Sequence, residues 1–113
     1  MPDAIRIDRL GIIGAGNMAE ALAQGLIGAG LVRADRIQAC DPDAGRREVF
    51  RALGANVSAD NAAAAGCPVV LLSVKPQIFD EVVKAASPNM GPQTLVISIA
   101  AGVYTGRIAG LVP

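Results

Sequence analysis

The sequence predicts an α/β fold: a doubly wound parallel sheet of about five strands in the order 3-2-1-4-5, with helices packed on both faces. Three observations lead there. Short runs such as Pro68-Val69-Val70-Leu71-Leu72-Ser73 are apolar throughout rather than alternating, as in strands covered on both sides. Longer Ala-rich stretches with helical spacing separate those runs. The first run ends in a glycine-rich turn that opens directly into a helix.

Taken in order, Leu10 to Ile13 reads as the first strand. Asn17 to Ala29 reads as a helix, with Met18, Leu22, Gly25, Leu26 and Ala29 on the buried face and Glu20 and Gln24 opposite. Gly28 and Gly30 supply its stop signals. Arg36 to Asp41 reads as the second strand, and Ala44 to Leu53 as a second helix closed by Gly54. Ala55 to Val57 makes a short third strand, and Asn61 to Ala65 a short helix or turn. After the fourth strand, Pro76 to Ala86 is helical, with the proline tolerated in the first turn. Ser87 to Gln93 is a loop, and Thr94 to Ser98 is the last strand.

Composition narrows the function. The 113 residues suit one domain, 1–113. Ten basic residues balance ten acidic ones, without the positive excess that a general nucleic-acid binder uses to displace counterions. There is no histidine, which removes imidazole acid–base chemistry and His-ligated metal; no metal site is expected. No apolar stretch reaches the roughly 18 residues of a membrane span, and the first ten residues carry acids rather than a signal-peptide core. Cys40 and Cys67 lie beside apolar runs without a C-x-x-C pattern, and read as small buried hydrophobes in a reducing compartment. A cytoplasmic protein that engages neither nucleic acid nor membrane is expected.

The turn after the first strand carries the chemistry. Gly14-Ala15-Gly16-Asn17-Met18-Ala19 is a G-x-G-x-x-A pattern. Gly14 permits the tight turn, Gly16 lets a pyrophosphate approach the backbone, and Ala19 is small enough for close helix–sheet packing. The following helix offers free N–H groups and a partial positive charge to phosphates. Asp41 lies 22 residues beyond Ala19, at the end of the second strand, where a ribose-binding carboxylate belongs. Such an acid favours NAD, yet Arg46 and Arg47 open the next helix and either could neutralise a 2′-phosphate. The expected cofactor is therefore NADP or NAD in a Rossmann-like domain, with a tight turn that binds no ligand as the alternative.

The whole set resembles the pyrroline-5-carboxylate reductase family, in its amino-terminal dinucleotide-binding domain. The resemblance rests on Ile12-Ile13-Gly14-Ala15-Gly16-Asn17-Met18-Ala19, Asp60-Asn61, Leu72-Ser73-Val74-Lys75-Pro76-Gln77 and Val96-Ile97-Ser98-Ile99-Ala100-Ala101-Gly102-Val103. It implies that Ile13, Gly14, Ala15, Gly16, Asn17 and Met18 hold the pyrophosphate and that Asp41 faces the adenosine ribose. It also implies that Asn61, then Ser73, Val74, Lys75 and Pro76, then Ala100, Ala101 and Gly102 line the groove towards the nicotinamide. Two of these turns leave the carboxyl ends of the fourth and fifth strands, where open α/β sheets bind ligands. Alternatives stand beside these roles: a helix cap for Asn61, a surface lysine for Lys75, a tight strand exit for Ala100 to Gly102.

The sequence departs from the family at Cys67-Pro68, at Asp41, where many members carry a polar residue compatible with a 2′-phosphate, and at Tyr104-Thr105. The resemblance implies a carboxy-terminal helical domain that dimerises and completes the substrate pocket, and none of its segments is expected within residues 1–113. No catalytic residue is therefore assigned, and a homo-oligomer is expected only with that domain. The implied function is reduction of the small molecule 1-pyrroline-5-carboxylate to proline with NAD(P)H, with this chain inactive by itself. The competing readings are a free-standing nucleotide-binding module and the cofactor domain of a related imine or β-hydroxyacid dehydrogenase.

Overall fold

The computed structural model describes residues 6–99. Five parallel strands, β1 (Leu10–Ile13), β2 (Ile37–Cys40), β3 (Asn56–Ser58), β4 (Val69–Leu72) and β5 (Leu95–Ser98), form one sheet in the order β3-β2-β1-β4-β5. The helices are α1 (Asn17–Gly28), α2 (Ala44–Ala52), α3 (Ala62–Ala65) and α4 (Phe79–Ala86). β1 lies at the centre, with Ile13 level with Cys40 on one side and Leu72 on the other. The expected class and strand order are both found. Most boundaries move by a residue or two.

Several of those shifts have a visible cause. Ala55 N donates to Phe50 O to close α2, so β3 starts at Asn56 and ends at Ser58 rather than spanning Ala55 to Val57. Ala34–Arg36 is a 3-10 turn, which delays β2 to Ile37. Pro76 to Ala86 is not one helix. It begins as a 3-10 turn, Pro76–Ile78, held by Ile78 N donating to Lys75 O, and becomes α-helical at Phe79. The Ser87 to Gln93 loop also contains a 3-10 turn, Ser87–Asn89.

Each face of the sheet has its own core. Leu10, Ile12, Ile37, Ala39 and Leu71 pack with Ala19 and Ala23 of α1 and Phe50 of α2. Ile13, Cys40, Val70 and Leu72 pack on the other face with Ala64 and Ala65 of α3 and Phe79, Val83 and Ala86 of α4. Within β1, a Cβ on Gly11 would lie 2.1 Å from Ala64 O, so α3 sits directly on that backbone.

Two expectations about burial are corrected. The buried stripe of α1 is Ala19 and Ala23, with Leu26 and Ile27 partly packed, because small side chains bring the helix close to the sheet. Met18 and Leu22 are 64% and 38% exposed, and Gly25 and Ala29 are exposed with them. Nor is every strand covered on both faces. Leu95 and Ile97 of β5, level with Val69 and Leu71, are exposed on the α1 side of the sheet.

Candidate functional site

The carboxyl ends of β1, β2 and β4 converge on the glycine turn. Ser73 N donates to Ile13 O at 2.8 Å and Gly14 N to Cys40 O at 2.9 Å, so the turn continues both ladders. Gly14 has φ +93°, a conformation that a side chain disfavours. A Cβ there would also lie 2.4 Å from Ser73 O and 3.0 Å from Val74 Cγ1. The exit from β4 is thus pressed against the turn, bringing together the Ile13–Gly14 and Ser73–Val74 residues expected from sequence.

Gly16 differs. Its φ of −79° and ψ of −175° are ordinary extended backbone, and an added Cβ would meet nothing within 4 Å. Neither backbone strain nor packing within the described chain requires glycine at this position. It caps α1 without any side-chain hydrogen bond to the first turn, while Asn17 and Met18 are exposed. A helix that starts this way presents its first N–H groups, and the positive end of its dipole, to whatever lies in front. Open space before a bare helix start fits the pyrophosphate of a dinucleotide.

Asp41 and two arginines fix the flank of this turn. Asp41 Oδ2 accepts from Ala15 N and Oδ1 from Asp43 N, both at 2.8 Å. Arg46, in the first turn of α2, donates through Nε to Ala15 O at 2.5 Å and through Nη2 to Glu20 Oε1 at 2.8 Å. Arg47 Nη1 donates to the carbonyls of Asp41 and Pro42. Ala15 itself is fully buried. Arg46 thus ties α2 to the glycine turn, while Arg47 braces the Asp41–Pro42 segment that leads into α2. Glu20, 26 residues from Arg46, gives no local sequence signal of this pairing.

The remaining candidates are more peripheral. Asn61 precedes α3 but forms no side-chain cap; Asp60 Oδ1 accepts from Ala62 N instead. Asn61 thus stands at the N-cap position through its backbone carbonyl, which accepts from Ala64 N and Ala65 N, and not through its side chain. Lys75 is exposed just past β4. Ala100, Ala101 and Gly102 lie outside the described residues, although Ile99 N donates to Leu72 O, which carries the chain past the β4 exit. A cleft of about 900 Å³ bordered by Ile7, Asp8, Leu31 and Arg36 lies at the opposite, amino-terminal end of the sheet. Ligands of open parallel sheets sit at the carboxyl end, so that cleft is not the candidate site. Among the described residues no cluster of His, Cys, Asp or Glu is suited to a metal, and no helix is long and apolar enough to cross a membrane.

Comparison with known proteins agrees with this geometry. Residues 9–102 match the model of the family described as NADP oxidoreductase, coenzyme F420-dependent. The chain belongs to this family. Among the chain's relatives, pyrroline-5-carboxylate reductase 3 of Mus musculus is 38% identical over 106 residues, covering 93% of the chain and 39% of the relative. Pyrroline-5-carboxylate reductase of Pseudomonas aeruginosa is 44% identical over 97 residues, covering 84% and 35%. A solved pyrroline-5-carboxylate reductase from Coxiella burnetii superposes with a TM-score of 0.87 at 30% identity, over 95% of this chain and 40% of that one. The Plasmodium falciparum enzyme, with NADP bound, gives 0.79 at 27% identity over 96% and 38%. The chain spans about two-fifths of the length of these relatives. The family resemblance and the NADP or NAD cofactor class expected from sequence both stand.

Proposed function

We propose that residues 1–113 are the cofactor-binding domain of a pyrroline-5-carboxylate reductase, in which 1-pyrroline-5-carboxylate is reduced to proline. The observation that carries the cofactor assignment is Gly16, a glycine that the protein's own packing does not require, facing open space at the start of α1. The substrate assignment is supported by relatives that carry that enzyme's name.

A reduced nicotinamide dinucleotide held at this site supplies the hydride for the C=N carbon. The chain's own residues hold and orient. The first N–H groups of α1, at Asn17 and Met18, bind the pyrophosphate, and Gly14 lets the turn pass close to Ser73. Asp41 meets the adenosine ribose while bracing Ala15. Asn61, Ser73, Val74, Lys75 and Pro76, with Ala100, Ala101 and Gly102, line the nicotinamide end, and Lys75 adds positive charge there. The substrate is a small molecule, and neither nucleic acid nor membrane enters this reading. Two free, buried cysteines suit the reducing cytoplasm.

The test is calorimetric titration of the chain with NADPH and NADH. Gly16→Val places two methyl groups where the pyrophosphate approaches; it should abolish binding while circular dichroism stays native. Undiminished binding in that variant would move the phosphate site away from α1.

A further inference from the structure

The Arg46–Glu20 pair bears on which dinucleotide the site accepts. Arg46 borders the ribose end of the site: its Nε donates to Ala15 O, and Ala15 N donates to Asp41 Oδ2. A dinucleotide whose diphosphate rests on α1 places its adenosine ribose at the end of β2, beside Asp41. A 2′-phosphate there would add strongly negative charge to an existing carboxylate, and would need a guanidinium to offset it. Arg47 directs its Nη1 to the carbonyls of Asp41 and Pro42. Arg46 Nη2 is held by Glu20 at 2.8 Å, with the two side chains 24% and 29% exposed.

We infer that Glu20 is a specificity-determining residue: it occupies the Arg46 guanidinium and so biases the site towards the dinucleotide without a 2′-phosphate. Resting on the proposal that the Gly14–Gly16 turn binds a dinucleotide, this adds a determinant on α1 that never needs to touch the ligand. Removing the Glu20 charge leaves Arg46 unmatched, with Nη2 available to a phosphate. The bias follows from charge: Glu20 already neutralises Arg46, so a 2′-phosphate beside Asp41 meets a weaker positive field than it would with the Glu20 charge removed.

The experiment titrates the full chain with NADPH and NADH in four forms: parent, Glu20→Gln, Arg46→Met and the double variant. Glu20→Gln should shift the NADPH-to-NADH affinity ratio towards NADPH on the order of fivefold. Arg46→Met in the same background should erase that gain. An unchanged ratio in Glu20→Gln overturns the inference, as does an equal gain in the double variant, which would show Glu20 repelling the phosphate directly. Should Glu20→Gln not fold, Glu20→Ala carries the same comparison. If the folded parent binds neither dinucleotide, the proposed function falls first and this inference falls with it.

Discussion

Three glycines near one another illustrate three different demands on a residue. Gly11 is required by α3, Gly14 by its positive φ and the β4 exit, and Gly16 by nothing in the described chain. Gly11→Ala should therefore destabilise the fold by about 1–3 kcal/mol or more, because the clash is with backbone that cannot rotate away. Urea denaturation would read this directly, and a loss below a few tenths of a kcal/mol would show that α3 can shift. Gly14 was legible in the sequence because its demand belongs to a local turn. Gly11 was not, since its constraint comes from Ala64, distant in sequence. Cys40 gives a pH signature. Burial, its largest influence, pushes the thiol above its ordinary 9.0 despite opposing hydrogen bonds. The folded protein then keeps a proton that the unfolded chain releases, so this contribution to stability is complete below pH 9.0 and declines as pH rises above it. Melting curves across that range should fall less steeply for Cys40→Ala than for the parent; parallel curves would count against a raised native thiol.

At the scale of elements, the sequence located the five strands and four α-helices of the described residues, while their edges and faces, and the 3-10 turns at Ala34–Arg36 and Ser87–Asn89, depended on contacts it does not display. The hydrophobic spacing of α1 suggested a stripe through Met18 and Leu22, but the sheet selected the neighbouring stripe of alanines, where the backbones approach closely. Bulk alone misled that assignment. The end of α1, by contrast, is written locally. Gly30 has φ +74°, its N–H donates to Ile27 O, and Leu31 N donates to Leu26 O, together satisfying two carbonyls of the last turn. An added Cβ at Gly30 meets nothing within 4 Å, so Gly30→Ala isolates the conformational cost. That cost should be about 1–2 kcal/mol, measured as a lower unfolding midpoint with unchanged denaturant slope; no change would mean the turn relaxes out of the left-handed region. Of the site, the motif residues were legible. The Asp41–Ala15–Arg46–Glu20 linkage was not, because it joins α1 and α2 through side chains whose sequence separation has no period.

For the whole molecule, the prediction is that this chain by itself binds cofactor but turns over no pyrroline-5-carboxylate. Reduction of a C=N bond requires the imine carbon held about 3–3.5 Å from the hydride donor and a proton delivered to nitrogen. The sequence has no histidine and one tyrosine, and the described residues supply no evident clamp for a small carboxylate beyond exposed Lys75. Following reduced-cofactor absorbance with substrate present should give a flat trace. Turnover proportional to chain concentration and lost in Gly16→Val would show that the site assembles without further structure. The central position of β1 has a separate consequence, for the order in which the molecule can form. Leu10 pairs with Ile37 but also with Val69, 59 residues later. During synthesis β1 can meet β2 early, yet half its edge waits until β4 has been made. Closing that long loop costs chain entropy before Val70 and Leu72 are buried. The rate of folding is therefore governed by the arrival of β4, and an emerging chain carries its central, fully buried strand with one edge open until that arrival.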